Sequence, residues 1–280
     1  MKTVKTIKEI CLLVKEAKSQ GKLIGFVPTM GALHEGHLSL VRAAVEKCDY
    51  VVVSIFVNPT QFGAGEDLDK YPKPIENDLQ LCRQAGVDVV FNPSADQMYR
   101  EKNITWVSLD KITDLLCGAS RPGHFRGVTT VCAKFFNIVA PDYAFFGQKD
   151  AQQAIVIKRM VVDLNMPIEI VVCPIVRESD GLAMSSRNVY LSQQERKDAV
   201  LIYQSLQKCR QMIEKGVRNS QTLADDMRKI LRKSGLIEVE YISIVDTRSL
   251  EKLEIVDSAA LVAVAARLGT TRLIDNILVD

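Results

Sequence analysis

Along the first 176 residues, short apolar runs alternate with segments of helical spacing. Residues 22–28 (KLIGFVP) form an apolar run that ends in a glycine-containing turn, and the pattern predicts a strand. In residues 35–47, Leu38, Val41, Ala44 and Val45 recur at the spacing of one helix face, which predicts a helix. Residues 50–57 (YVVVSIFV) are apolar at every position but one, as expected of a strand covered by helices on both sides. The alternation continues through a predicted helix at 75–85 and a strand at 87–91. A strand at 104–109, able to pair at a sheet edge, follows, then a helix at 128–139, a strand at 143–146, a helix at 151–165 and a strand at 169–176.

Strands separated by helices imply a doubly wound, Rossmann-like parallel sheet of α/β class. Ligands of such sheets sit beyond the carboxyl ends of the strands, which directs attention to the segments after Val27, Val57, Phe146 and Val176. Past Arg177 the pattern changes to helices at 192–215 and 221–233, followed by strands at 239–245, 259–266 and 272–278. The expected organisation is therefore a nucleotide- and substrate-binding domain over residues 1–176 and a smaller α+β lid domain over residues 177–280.

Composition narrows the function. Lys and Arg number 36 against 34 Asp and Glu, a net charge of +2, which argues against nucleic-acid or anionic-membrane binding and makes any anion site local. No apolar run approaches the ~20 residues of a membrane span. The N-terminal 18 residues carry five lysines along an amphipathic pattern rather than a signal peptide. Cys11, Cys48, Cys82, Cys117, Cys132, Cys173 and Cys209 are scattered without a C-x-x-C pair, as reduced core residues of a cytoplasmic protein are.

Two of the three histidines form His34-Glu35-Gly36-His37 at the junction of the first strand and its helix. A lone histidine near a helix start is ordinarily a surface residue. Here the three-residue spacing puts two imidazoles on one face of a helical turn whose free N–H groups and dipole already attract anions. Gly36 leaves room for a nucleotide to approach the backbone. After the next strand, the amides of Asn58 and Gln61 suit a hydroxy acid without adding charge. Lys149, after Phe146, is a candidate phosphate ligand, and Ser185, Ser186 and Arg187 place two hydroxyls and a guanidinium in a glycine-containing loop. The H-x-G-H motif alone also fits a nucleotidylyltransferase, but Asn58, Gln61 and Gln153 stand where a phosphorylated acceptor calls for basic residues. A catalytically silent nucleotide sensor or RNA-binding protein fits the near-neutral charge less well.

Five segments, PTMGALHEGH, VSIFVNPTQF, SRPGHFRGV, FFGQKDAQQ and GLAMSSRN, occur in the order found in the pantothenate synthetase (pantoate:β-alanine ligase) family, which the chain resembles over its whole length. The resemblance implies an ATP site of Met30, Gly31, Ala32, Leu33, His34, Glu35, Gly36 and His37. Gly147, Gln148, Lys149 and Asp150, the backbone of Val176, and Met184, Ser185, Ser186 and Arg187 complete that site. His37 is implied as the principal catalytic residue, with His34 and Lys149 beside it on the phosphates. Gln61 and Gln153 are implied to hold pantoate, Gln61 also lies near β-alanine, and Tyr71, Arg121 and His124 fall in segments that line the site.

It further implies ATP as substrate with Mg2+, a homodimer, and formation of pantothenate through a pantoyl adenylate with release of AMP and pyrophosphate. An acidic pair expected near the magnesium reads Asn77-Asp78 here, so no metal ligands are assigned. The segment Gly63-Ala64-Gly65-Glu66 is a candidate cover that keeps water from the labile adenylate.

Overall fold

The computed structural model describes residues 1–63, 65–101 and 103–280. In chain order its elements are β1 (Lys2–Val4), α1 (Ile7–Ser19), β2 (Ile24–Thr29), α2 (Glu35–Lys47), β3 (Tyr50–Ile55), α3 (Ile75–Gln84), β4 (Val89–Phe91), α4 (Ala95–Met98), α5 (Cys117–Ser120), α6 (His124–Val139), β5 (Tyr143–Gly147), α7 (Ala151–Asp163) and β6 (Glu169–Cys173). These are followed by α8 (Gln193–Asp198), α9 (Val200–Glu214), α10 (Ser220–Leu231), β7 (Ile237–Asp246), β8 (Ala260–Leu268) and β9 (Thr271–Val279).

Six strands form one parallel sheet in the order β1-β4-β3-β2-β5-β6. Successive side chains along a strand go to opposite faces. Phe26, Val52 and Phe146 accordingly pack with α1, α6 and α7, while Val27, Val51, Val53 and Phe145 pack with α2 and α3. The α/β, doubly wound expectation is borne out. In α6, Phe135 sets its ring against Phe26, Phe56 and Phe91 at centroid distances of 5.5, 6.2 and 6.2 Å, tying β2, β4 and the residue just past β3 to one helix. The chain leaves β2 toward β3 on one side and reaches β5 on the other, so the crevice of the sheet opens beyond Thr29. β7, β8 and β9 form a separate antiparallel sheet, packed on α9 and α10 around Leu206, Leu223, Met227, Val262 and Val264.

Several boundaries differ from the sequence pattern for identifiable reasons. No strand forms at 104–109. The Val107 N–H donates to Thr130 Oγ1 (3.1 Å) and the Val107 carbonyl accepts from Thr129 Oγ1 (2.6 Å), so α6 side chains take the place of a ladder, and the sheet edge beside β4 is held by β1. α6 starts four residues early, at His124, after Gly123 turns the chain at φ 81°. β6 stops at Cys173 because Pro174 has no N–H for the ladder. The predicted helix at 192–215 is interrupted at Ala199, between α8 and α9.

One close approach bears on the site. A Cβ on Gly127 would collide with the Thr60 carbonyl oxygen and lie 2.7 Å from the Gln61 Cα, so α6 presses directly on the 3-10 turn Pro59–Gln61. Gly127→Ala is expected to force the two apart and destabilise the fold by about 1 to 3 kcal/mol, the usual cost of overpacking. A thermal melt checks this, and a midpoint equal to that of the wild type would show that the contact yields freely.

Candidate active site

The site lies past the carboxyl ends of β2, β3, β5 and β6. Thr29 ends β2 by donating Oγ1 to the Ser54 carbonyl (2.7 Å) and accepting the Gly31 N–H (3.2 Å). Gly31 and Ala32 then both take positive φ, 85° and 51°. That strained turn is braced by Asp78 of α3, 1% exposed, whose two carboxylate oxygens accept the N–H groups of Ala32 and Leu33, each at 2.8 Å. Burial raises the Asp78 pKa, against the pull of those two bonds. Asp78, half of the pair expected near magnesium, is thus committed to the loop backbone.

The turn delivers His34 to the N-cap of α2. The Gly36 N–H donates to His34 Nδ1 (3.1 Å), and the His34 N–H donates to His37 Nδ1 (3.3 Å). The rings lie 4.2 Å apart. With both Nδ1 atoms accepting, each neutral imidazole carries its proton on Nε2, the tautomer assigned by the bonding pattern. Burial is the main reason both are neutral: His34 falls to about 4, helped by the Lys149 charge, and His37 to about 3, helped by His34 and Lys149. A Cβ on Gly36 would come within 2.9 Å of the His34 ring, so glycine is needed there for the histidine itself to fold over the helix end.

After β3, Asn58 is 1% exposed and its amide is fully used. It donates to Gln61 Oε1 (3.0 Å) and the Gly127 carbonyl (3.2 Å), and accepts from Thr60 N and Oγ1 and from Tyr99 Oη (2.9 Å). The reading of Asn58 as a substrate amide is therefore corrected: it orients Gln61, whose Nε2 turns toward Met30 Sδ (3.2 Å). His124 donates Nδ1–H to the Gln61 carbonyl (2.8 Å) and accepts from Arg121 at Nε2 (3.0 Å); burial and the Arg121 charge lower its pKa to about 4.

One cavity of about 230 Å³ is lined by Met30, His34, Gly36, His37, Gln61, Gly147, Lys149, Asp150, Gln153, Val176 and Met184 to Arg187, together with Tyr71, Arg121 and His124. A larger space of about 780 Å³ shares Arg121, Lys149, Asp150, Gln153, Ser185 and Arg187, and runs on to β8 and β9. Five residues of the expected ATP site do not line the smaller cavity. Gly31, Ala32 and Leu33 form the braced turn, Glu35 pairs outward with Arg42, and Gln148 meets Asn276.

Two ion pairs cross the mouth. Glu66 grips Arg121 with both oxygens at 2.6 Å, and Asp67 grips Arg187 at 2.8 and 2.9 Å. Burial alone would raise both carboxyl pKa values, but the guanidinium bonds outweigh it and hold them below the usual range. Tyr71 Oη lies 3.3 Å from Ser186 Oγ. Of the proposed cover, Ala64 lies outside the described residues. The sequence reading missed Asp78 as a brace and Asn276 as a contact of the Lys149 segment. For the latter, the adjacent polar pair Asp275-Asn276 inside an apolar strand was the available signal.

The profile of the Pantoate-beta-alanine ligase family matches residues 2–278. The chain is 55% identical to the pantothenate synthetase of Thermoanaerobacter sp. (strain X514) over 272 residues, 97% of this chain and 96% of that one. It is 51% identical to the pantothenate synthetase of Acetivibrio thermocellus over the full length of both. The crystal structure of pantothenate synthetase from Thermus thermophilus superposes with a TM-score of 0.94 at 44% identity, covering 99% of each chain. Pantoate-beta-alanine ligase from Francisella tularensis, complexed with beta-gamma ATP and beta-alanine, superposes with a TM-score of 0.83 at 36% identity, covering 99% of this chain and 97% of that one.

All three histidines are expected to stay neutral through the range where an ordinary histidine titrates, near pH 6.5. Their ring C–H resonances in NMR spectra should be flat from pH 8 down to about 5.5; a midpoint near 6.5 for any of the three would contradict the bonding described. The sign for stability follows. The unfolded chain takes up protons below about pH 6.5 while the folded histidines do not, so this contribution to stability falls as pH drops from there toward 4.

Proposed function

As the chain belongs to the pantoate-beta-alanine ligase family, an enzyme family that makes pantothenate from pantoate and β-alanine with ATP, we propose that it does so through a pantoyl adenylate assembled in the cavity beyond β2 and β5. A carboxylate cannot acylate an amine directly, because its leaving group would be oxide; an acyl adenylate leaves as AMP. In the first step a pantoate carboxylate oxygen attacks the α-phosphorus of ATP in line, the bond to the bridging oxygen breaks, and pyrophosphate departs. In the second, the neutral amine of β-alanine attacks the acyl carbon, loses a proton and expels AMP.

The observation that carries this reading is convergence. The Nε2–H donors of His34 and His37, the Lys149 ammonium and the Ser185, Ser186 and Arg187 side chains line one cavity with the amides of Gln61 and Gln153. We assign the first group to the phosphates, the Val176 backbone to the adenine and the two glutamines to pantoate, with Gln61 also near β-alanine. Neutral histidines with Nδ1 already engaged serve as hydrogen-bond donors to the charge that builds on the phosphoryl oxygens, and not as bases. Such donors act strongly because they are oriented before the reaction begins.

ATP enters as its magnesium complex. Magnesium is usually held by substrate phosphates and one or two carboxylates. Among the described residues no three acidic, histidine or cysteine side chains form a cage, and Asp78 is engaged with backbone, which leaves Asp150 on the cavity wall as the proposed carboxylate. We also propose domains at residues 1–176 and 177–280, supported by the separate cores of the two sheets, and a cytoplasmic enzyme, supported by seven free cysteines. The resemblance supports a homodimer, for which light scattering should return about twice the 31.2 kDa of one chain.

Incubation with each substrate omitted in turn tests the two half-reactions. Pyrophosphate should exchange into ATP in the presence of pantoate without β-alanine, and AMP should turn over fully only when β-alanine is added. His37→Ala should fold normally and lose about 10² to 10³ in exchange rate, the usual effect of removing one such donor. Full exchange in this variant would remove His37 from the first step.

A further inference from the structure

The segment that carries Lys149 is held from the other sheet. Asn276 of β9, 3% exposed, donates from Nδ2 to the carbonyl oxygens of Gln148 (2.9 Å) and Lys149 (3.0 Å), and accepts at Oδ1 from Gln148 Nε2 (3.3 Å). Its own N–H donates to Asp275 Oδ1 (2.8 Å). Asp275, equally buried, takes the Arg177 guanidinium in a two-bond clasp at 2.6 and 2.9 Å. Arg177 donates again to the Gly181 carbonyl (3.0 Å), bridges Ala183 and lies 3.9 Å over the Tyr203 ring. Gly181 and Ala183 begin the loop that continues into Met184 to Arg187. Two consecutive residues of one strand therefore reach two of the three segments assigned to the triphosphate.

We propose that Asn276 is a positioning residue for pantoate activation: it fixes the Gln148 and Lys149 carbonyls and so sets the backbone from which the Lys149 ammonium reaches the phosphates. Asp275, through Arg177, keeps the serine loop in register with it. The proposal rests on the assignment of Lys149 to the triphosphate. The Gln148 and Lys149 carbonyls belong to the short 3-10 turn that leads into α7, and the Asn276 amide, bonded to that turn through both its nitrogen and its oxygen, ties it to β9 in one orientation. A displacement of about 1 Å at a charge-stabilising group is enough to cost ~10²-fold in rate.

The test is pantoate-dependent pyrophosphate exchange in the full-length enzyme. Asn276→Ala removes all three side-chain bonds, and Asn276→Asp keeps the shape while turning an acceptor toward two carbonyl oxygens. Both should lower kcat by about 10- to 100-fold and leave the KM for pantoate within about twofold, because Gln61 and Gln153 lie outside this network. If Asn276 acts through Lys149, the double variant Lys149→Ala/Asn276→Ala should be no slower than Lys149→Ala alone.

A merely structural role would lower the melting point without that split and would give losses that multiply. Wild-type kcat in Asn276→Ala, or multiplicative losses in the double variant, would overturn the proposal. Should Asn276→Ala melt below the assay temperature, Asn276→Ser, which keeps one short donor, carries the same comparison and should fall between alanine and wild type. Absence of exchange in the wild-type enzyme would overturn the adenylate reading and this proposal with it.

Discussion

Two imidazoles close the first turn of α2, one on the Gly36 N–H and the other on the His34 N–H, and the rest of the site takes its geometry from that closure. A helix start has N–H groups without partners, and most helices satisfy them with a serine, threonine or aspartate. Here histidines do so with Nδ1, which consumes the atom that would otherwise accept a proton and leaves Nε2–H as the working end. The same bonds that stabilise the helix therefore decide the chemistry of the rings. Asp78 makes the arrangement possible from below, since without its carboxylate the Ala32 and Leu33 N–H groups would be buried and unpaired in a turn with two positive φ angles.

The sheet contributes position. Every segment assigned to substrate follows a strand of one parallel sheet, so four pieces distant in sequence arrive at one edge without any of them having to find the others. The phenylalanine cluster around Phe135 fixes α6 against β2, β4 and the residue that follows β3, and α6 in turn presses Gly127 against the turn that holds Gln61. Packing in the core is thereby converted into placement of an amide in the cavity.

What could be read from the chain beforehand was whatever depended on neighbours in sequence. The apolar run of β3, the helical spacing of α2 and the paired histidines all announce themselves locally, and the five segments in family order add the substrates. Residues whose role depends on a distant partner were misread or missed. Asn58 looked like a substrate amide because nothing local shows that Tyr99 and Gly127 saturate it. The 104–109 segment looked like a strand because its composition favours one, whereas Thr129 and Thr130 of α6 satisfy its backbone. β1, three residues long, is too short to show any period.

The carboxylates of Glu66 and Asp67 give the site one more property. Arg121 and Arg187 are each matched by an internal counter-ion before any substrate arrives. Each carboxylate engages only the Nε and Nη2 side of its guanidinium, so an anion approaching the remaining N–H groups meets a cation whose charge is already largely balanced. Neither guanidinium sits unpaired in a poorly solvated space, so the two cations can be partly buried beside the cavity without the cost of an uncompensated charge.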